Sequence, residues 1–259
     1  MQNKNIIINN LRINYYQNKN FKAQDKSIIF LHGWQSDALV FSGILEKLEK
    51  ENKNFISIDL PGFAKSEKAK NIWGVEDYAK FLKDFLEKLN IEKKILVGHS
   101  FGGAVIIKYL AKYRDKETQK AILVASAGIR KRGLQIFLLM IFTKIFKIFF
   151  SLPILNLFFK KVRKKYYQLI DAEDYYRAGD MKEIYQKIIR EDLQADMKKI
   201  DTKTTLIWGE NDKSTSVEDG KKTSRLIKNS YLFVLKDAGH FVFLDQKEEF
   251  EKIFFYNLA

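Results

Sequence analysis

The sequence predicts an α/β fold in which a mostly parallel, eight-stranded sheet carries helices on both faces and an all-helical segment is inserted between two strands. Two patterns predict this class. Short apolar runs, typical of strands covered on both faces, alternate with longer segments whose apolar residues recur at helical spacing. The alternation stops near residue 129 and resumes near residue 201. We therefore expect a core of residues 1–128 and 201–259 and a helical cap at residues 129–200.

The expected elements follow one another in a regular order. The predicted strands are residues 6–8, 11–16, 27–31, 54–58, 94–97, 120–125, 204–208 and 231–235. The predicted helices are residues 39–50, residues 78–89, a segment starting near residue 101 and a C-terminal segment around residues 250–254. The first two strands read as an edge hairpin, and the others imply right-handed crossovers in a mostly parallel sheet.

The composition favours one large domain. The chain has 259 residues, of which 46% are hydrophobic, so it can fill a sizeable core. It contains no cysteine, which excludes a disulfide framework and thiolate metal ligands. The first ten residues lack the basic and long apolar parts of a signal peptide. We expect a cytoplasmic protein that could also associate with a membrane, and the oligomeric state is left open.

The stretch around Ser100 is the strongest functional signal. Residues 97–103 read V-G-H-S-F-G-G and lie between an apolar strand and an apolar helix. This G-x-S-x-G pattern places a serine at the tip of a sharp strand-to-helix turn, above the unpaired N–H groups of the helix. Glycine is needed at positions 98 and 102, because a side chain there would collide with the neighbouring strand or helix.

At this motif the chain resembles the α/β-hydrolase family, and the resemblance covers nearly the whole chain. His32-Gly33-Trp34 after the third strand resembles the family's oxyanion loop. The resemblance implies the main-chain N–H groups of Trp34 and Phe101 as the two oxyanion donors, and we expect His32 to brace the loop. Asp59, in a D-x-P-G turn, is interpreted as structural because it precedes the serine.

The remaining catalytic residues are expected downstream. The strand end W-G-E-N-D at 208–212 resembles the corresponding strand end in the α/β-hydrolase family. The resemblance implies Asp212 as the triad acid, and Glu210 and Asp237 are the competing acids. His240 is the one histidine after Ser100 and Asp212, so it is the candidate base. The order Ser, Asp, His then matches the family, with Ser100 as the nucleophile and Asp212 orienting the imidazole.

Residues 130–165 concentrate the positive charge. The net charge is +14, and this segment holds ten Lys or Arg residues and no Asp or Glu. Its seven phenylalanines allow two interpretations. We favour one in which they cover the cleft while the cations are solvated; in the other the segment contacts an anionic membrane. The apolar run at 136–142 is too short to span a bilayer, and no nucleic-acid-binding motif is present, so no nucleic-acid partner is expected.

The resemblance implies a serine hydrolase that cleaves small-molecule esters or acyl-chain substrates through an acyl-enzyme, without a metal or an organic cofactor. Other activities on the same triad stay open: C–C bond hydrolase, thioesterase, lactonase and cofactor-free perhydrolase. A lipid-binding protein on a hydrolase scaffold also stays open. Ser100 in place of a nucleophilic Asp argues against epoxide hydrolases and haloalkane dehalogenases. The candidate substrate contacts are His99, Phe137, Phe142, Phe146 and Phe241.

Overall fold

The computed structural model describes residues 1–130 and 178–258 and confirms the predicted fold class. The strands are β1 Gln2–Ile8, β2 Leu11–Gln17, β3 Ser27–Leu31, β4 Phe55–Ile58, β5 Lys94–His99, β6 Thr118–Val124, β7 Lys203–Gly209 and β8 Ser230–Leu235. The described helices are α1 Ser42–Lys50, α2 Val75–Lys88, α3 Phe101–Tyr113, α4 Lys182–Ile188, α5 Gln194–Met197, α6 Val217–Leu226, α7 Val242–Asp245 and α8 Lys247–Leu258.

The strands form one sheet in the order β1-β2-β4-β3-β5-β6-β7-β8. β1 pairs antiparallel with β2, and β2 antiparallel with β4, while the strands from β4 to β8 run parallel to one another. Asn9 and Asn10 make the predicted hairpin turn, and both have positive φ angles (50° and 65°), as a tight two-residue hairpin requires.

The core lies on both faces of the sheet, as alternate residues of β3 illustrate. Ile29 and Leu31 pack in the cluster that holds the apolar faces of α2 and α3. Ile28 and Phe30 pack in the cluster that holds those of α1 and α8. Because successive side chains of a strand point to opposite faces, a strand covered on both sides must be apolar throughout.

Helix α7 has no counterpart in the prediction, and α2 begins three residues before its predicted start. Two further differences have a local cause. The segment predicted as one helix over 39–50 begins with a 3₁₀ turn, Ala38–Phe41, capped by the Asp37 side chain, which accepts from Leu39 N at 2.8 Å. Helix α6 has no counterpart in the prediction, because Val217 and Leu226 are its apolar residues and a helical period is lacking. Its start is specified instead by a capping box in which Ser216 and Asp219 exchange hydrogen bonds.

Residues 178–200, the described part of the predicted cap, are helical and pack on the core. They form a 3₁₀ turn at Gly179–Met181 followed by α4 and α5. Ile184 and Leu193 are buried in the same cluster as α2 and α3. The division into core and cap stays a prediction, since residues 131–177 lie outside the described residues. Among the helices that are described, none combines the length and apolar character needed to cross a bilayer.

The parallel strands bring their carboxyl ends to one edge of the sheet. β5 ends immediately before Ser100, β7 ends three residues before Asp212, and β8 ends five residues before His240. Parallel strands carry the loops at their carboxyl ends on the same side, where ligand sites of such sheets are found. The fold therefore places the three predicted catalytic residues on loops of one sheet edge.

The packing of α8 against the sheet predicts a stability effect. Phe254 is 0% exposed, and its ring centroid lies 6.0 Å from that of Phe30 and 5.9 Å from that of Phe250. We expect Phe254→Ala to lower the free energy of unfolding by about 3–5 kcal/mol, because it removes buried area and leaves a cavity. Tyr256→Ala on the same helix is the matched control, since Tyr256 is 81% exposed. Urea denaturation measures both, and equal effects would contradict the packing described here.

Candidate active site

Ser100 lies on a strained turn between β5 and α3. Its φ and ψ angles are 50° and −111°, a region that non-glycine residues rarely occupy. The strain is sustained by hydrogen bonds on both sides: Ser100 N donates to Val124 O at 3.0 Å, and Ala127 N donates to Ser100 O at 3.0 Å. The main chain at Ser100 is therefore anchored to the end of β6, and the serine is partly exposed between buried neighbours.

Close backbone contacts explain the two glycines of the motif. A Cβ on Gly102 would lie 2.2 Å from Leu31 O, and a Cβ on Gly98 would lie 2.6 Å from Gly103 N. Both distances are far below van der Waals contact, and the obstructing atoms belong to the main chain, which cannot move aside. The turn can therefore form against β3 only with glycine at these positions, as the sequence pattern predicts.

The predicted acid and base are in direct contact. His240 Nδ1 donates to Asp212 Oδ2 at 2.9 Å. The carboxylate side chain is fully buried, whereas the His240 side chain is 18% exposed. The competitors Glu210 and Asp237 are both exposed. With its Nδ1 proton directed at the carboxylate, the imidazole keeps Nε2 as the nitrogen that can accept a proton.

Four hydrogen bonds surround the Asp212 carboxylate. Besides His240, the Thr215 hydroxyl lies 2.9 Å from Oδ2, and the main-chain N–H groups of Ser214 and Thr215 donate to Oδ1 at 2.8 and 2.9 Å. Burial acts to raise the pKa of Asp212, but the hydrogen bonds and charge of His240 and the bonds from Thr215 outweigh it. The pKa therefore lies below its ordinary value, and Asp212 is an anion at neutral pH.

The structure does not support His99 as a substrate contact. His99 is 1% exposed, and its Nε2 donates to the main-chain oxygen of His240 at 3.0 Å. Burial, followed by the neighbouring His240, lowers the pKa of His99 to about 3, so the ring is neutral. His99 thus connects the end of β5 to the loop that carries His240. A buried ring bonded in this way offers no surface to a substrate.

His32 braces the predicted oxyanion loop. The ring is fully buried, its Nδ1 donates to Gly33 O at 2.7 Å, and its Nε2 accepts from Leu60 N at 3.0 Å. Burial lowers the pKa of His32, which keeps the ring neutral, and the two hydrogen bonds fix this tautomer. In a trans peptide the C=O and N–H point in opposite directions, so the bond to Gly33 O also orients the N–H of Trp34.

The two predicted oxyanion donors are available in the described part of the chain. Neither Trp34 N–H nor Phe101 N–H donates to another described residue. The ring centroids of Trp34 and Phe101 are 5.8 Å apart, and Trp34 also packs on Phe63 and on Tyr185 of α4 at 4.9 and 5.0 Å. Helix α4 of the predicted cap therefore contacts this loop directly.

The other predicted substrate contacts differ in their status. Phe241 is 40% exposed, and its ring lies 5.6 Å from that of His240, so it presents a free apolar surface beside the candidate base. Phe137, Phe142 and Phe146 lie outside the described residues and stay predictions.

Sequence reasoning did not name Thr215, although its hydroxyl and main-chain N–H both contact Asp212. The D-x-x-T spacing at 212–215 is a signal that could have found it, because Asp and Thr three residues apart often close a turn through such bonds. Asp59 is structural as predicted, since its carboxylate accepts from Asn14 Nδ2 and Ala38 N, each at 2.8 Å.

The lowered pKa of Asp212 predicts a pH-dependent stability. A carboxyl whose folded pKa is depressed stabilises the fold above its unfolded pKa, near 4, and that contribution is lost as the pH falls through the folded pKa. We expect Asp212→Asn to reduce the free energy of unfolding most at neutral pH, with the deficit shrinking below about pH 4. Denaturant melts from pH 7 downward measure this deficit. The exposed Asp237→Asn is the control, and a deficit independent of pH would contradict the assignment.

Comparison with known proteins agrees with this architecture. A family model of the alpha/beta hydrolase fold matches residues 26–144 and, overlapping, residues 129–247. The AB hydrolase superfamily protein YisY of Bacillus subtilis (strain 168) is 27% identical over 249 residues, 88% of this chain and 90% of that protein. The monoacylglycerol lipase abhd6-A of Xenopus laevis is 23% identical over 264 residues, 92% of this chain and 77% of that protein.

The solved structure of the esterase EaEST from Exiguobacterium antarcticum is similar in fold, with a TM-score of 0.76 at 22% identity and 100% of both chains covered. The parallel sheet with its helices on both faces, the serine turn after β5 and the extent of the family match agree with one another. This chain belongs to the α/β-hydrolase fold family.

Proposed function

We propose that the protein is a serine hydrolase that cleaves carboxylic esters of small or acyl-chain substrates. The observation that carries the proposal is the 2.9 Å hydrogen bond between His240 and the buried carboxylate of Asp212, at the sheet edge that also bears Ser100 on its strained turn. The similarity to an esterase and to a monoacylglycerol lipase supports the same substrate class.

The proposed reaction divides the chemistry among three side chains. Ser100 Oγ attacks the ester carbonyl carbon while His240 Nε2 takes the hydroxyl proton, because a serine hydroxyl is a poor nucleophile until a base removes that proton. Asp212 keeps the imidazole in the required tautomer and stabilises the imidazolium. The tetrahedral intermediate collapses with protonation of the leaving alcohol by His240. Water, activated by the same imidazole, then cleaves the acyl-enzyme to release the acid.

The oxyanion of the tetrahedral intermediate is proposed to bind the N–H groups of Trp34 and Phe101. Phe101 N–H is the first amide of α3, so the positive end of the helix dipole adds to the stabilisation. Trp34 N–H is oriented through the bond from His32 to Gly33 O. Removing one such donor raises a reaction barrier by on the order of ~3 kcal/mol, so the bracing by His32 serves catalysis as well as folding.

Several activities share this triad, and the identity of the cleaved bond separates them. A thioesterase, a lactonase or a C–C bond hydrolase would use the same Ser100, Asp212 and His240. The Phe241 beside the base differs from the tryptophan common in C–C bond hydrolases, which favours the ester over the C–C bond.

A panel of p-nitrophenyl esters of increasing acyl length tests the proposal. We expect wild-type turnover and a loss of about 10³-fold or more in Ser100→Ala, since the nucleophile is removed. Ser27→Ala is the matched control, because Ser27 is buried at the opposite end of the sheet, where its hydroxyl donates to Asp25 O. Unchanged activity in Ser100→Ala would overturn the mechanism. Turnover of thioesters or lactones but not of esters would instead assign one of the related activities.

A second candidate, contact with an anionic membrane, is supported by the ten cations and seven phenylalanines of residues 130–165, which lie outside the described residues apart from Arg130. It is compatible with esterase activity on acyl chains. This second candidate predicts that the protein sediments with phosphatidylserine vesicles at low salt and stays in solution with phosphatidylcholine vesicles. It also predicts release from the anionic vesicles by salt, because salt screens exposed charges. No sedimentation with the anionic vesicles at low salt would refute the contact.

A further inference from the structure

The Thr215 hydroxyl has more acceptors within reach than it has protons. Its Oγ1 lies 2.9 Å from Asp212 Oδ2 and 2.9 Å from the main-chain oxygen of Ala125, and 3.4 Å from His240 Nδ1. A hydroxyl carries one proton, so it can donate to one of the two oxygens at a time. The position of this proton decides how much charge Asp212 retains for His240.

The carboxylate is the stronger of the two acceptors. The two oxygens lie at the same distance from Thr215 Oγ1, 2.9 Å, so charge decides between them. A hydrogen bond to an ionised oxygen is about twice as strong as one to a neutral carbonyl. Asp212 is an anion at neutral pH, because its pKa lies below the ordinary value even though burial acts to raise it. The proton is therefore directed at Asp212, where it shares Oδ2 with the proton of His240 Nδ1.

We propose that Thr215 is a positioning residue of this site: its hydroxyl bonds the same carboxylate oxygen as His240 and so sets how strongly Asp212 attracts the imidazolium. This inference rests on the proposed function, because Thr215 affects catalysis only if His240 is the base. Two donors on Oδ2 hold the carboxylate at a fixed orientation. They also spread its negative charge over two hydrogen bonds.

The direction of the effect follows from electrostatics. Without the Thr215 proton, more of the Asp212 charge is available to the imidazolium, so the charged form of His240 becomes more stable. The midpoint of the imidazole titration then moves to higher pH. The acid limb of the kcat/KM profile, which reports the free enzyme's base, moves with it.

The other titratable groups near His240 do not supply this effect. From β5, His99 lies 4.7 Å from the His240 ring, but it is buried and neutral, with a pKa of about 3. Asp245, at the end of α7, accepts through Oδ2 from Gly239 N at 2.7 Å. Asp237 is exposed and lies on the same loop as His240. These groups are the same in every Thr215 variant. Their effect on the His240 midpoint therefore cancels when the variants are compared.

Histidine NMR tests the inference without requiring turnover. The chain has three histidines, and His32 and His99 are buried, so the three imidazole signals can be followed separately through a pH titration. We expect Thr215→Val, which keeps the shape of the side chain, to move the His240 midpoint to higher pH than in the wild type. Thr215→Ser keeps the hydroxyl and should restore the wild-type midpoint. Thr215→Ala repeats the measurement if the valine variant fails to fold.

Thr205→Val is the matched control, because Thr205 is a buried threonine of β7 whose hydroxyl donates to Asn257 Oδ1 at 2.8 Å, far from the His240 loop. An unmoved midpoint in both Thr215→Val and Thr215→Ala, no rescue by serine, or an equal shift in the control would overturn the role of Thr215. Loss of the proposed function is distinguishable, since it appears as ester turnover that is absent in the wild type or retained in Ser100→Ala, whatever the NMR midpoints are.

Discussion

The close approach of the Ser100 turn to β3 is the constraint on which the site depends. The Cα of Gly102 is so near the main-chain oxygens of Leu31 and His32 that a single methyl group would overlap both. This contact places the start of α3, with its unpaired N–H groups, against the loop that follows β3. The serine turn and the predicted oxyanion loop are thus positioned by the same backbone contact, and a side chain at residue 102 would separate them.

Around this contact, neutral buried histidines connect loops that come from different strands. His32 bridges the loops after β3 and β4 through Gly33 O and Leu60 N, and His99 bridges the turn after β5 to the His240 main chain. Both rings have a lowered pKa because they are buried, so neither brings a competing charge near the His240 imidazole. These bonds hold irregular loops at fixed positions. Both ring nitrogens of His32 have a partner, whereas His99 Nδ1 is buried without one among the described residues.

Asp212 shows how burial and hydrogen bonding are balanced at the site. Removing a carboxylate from water disfavours its charge, yet four donors from His240, Ser214 and Thr215 satisfy both oxygens and keep it ionised. The negative charge therefore stays on the Asp212 carboxylate, which is held in a fixed orientation against His240 Nδ1. In the proposed mechanism, such a fixed charge needs no reorganisation when His240 becomes positive, and a preorganised charge of this kind lowers a reaction barrier.

The sequence by itself determined the fold class, the strand order in the chain and the residues of the proposed triad. Those signals are local, because a strand buried on both faces must be apolar and the serine turn must have glycine at positions 98 and 102. It did not predict helix α6, whose start depends on the Ser216 and Asp219 capping bonds rather than on an apolar period. The sequence analysis also named His99 as a candidate substrate contact, because it precedes Ser100 in the motif. In the structure the His99 ring is buried and bonded to the main chain of His240.

Only the tertiary structure decided which polar groups meet across the sheet edge. Thr215 reaches Ala125, 90 residues earlier in the chain, as well as Asp212, and His99 reaches the main chain of His240, 141 residues later. Such pairings depend on which strand ends lie side by side, and a pattern of residues along the chain does not record that arrangement. The residues of the proposed triad were therefore readable from the motifs, whereas the bonds that orient them required the packed sheet.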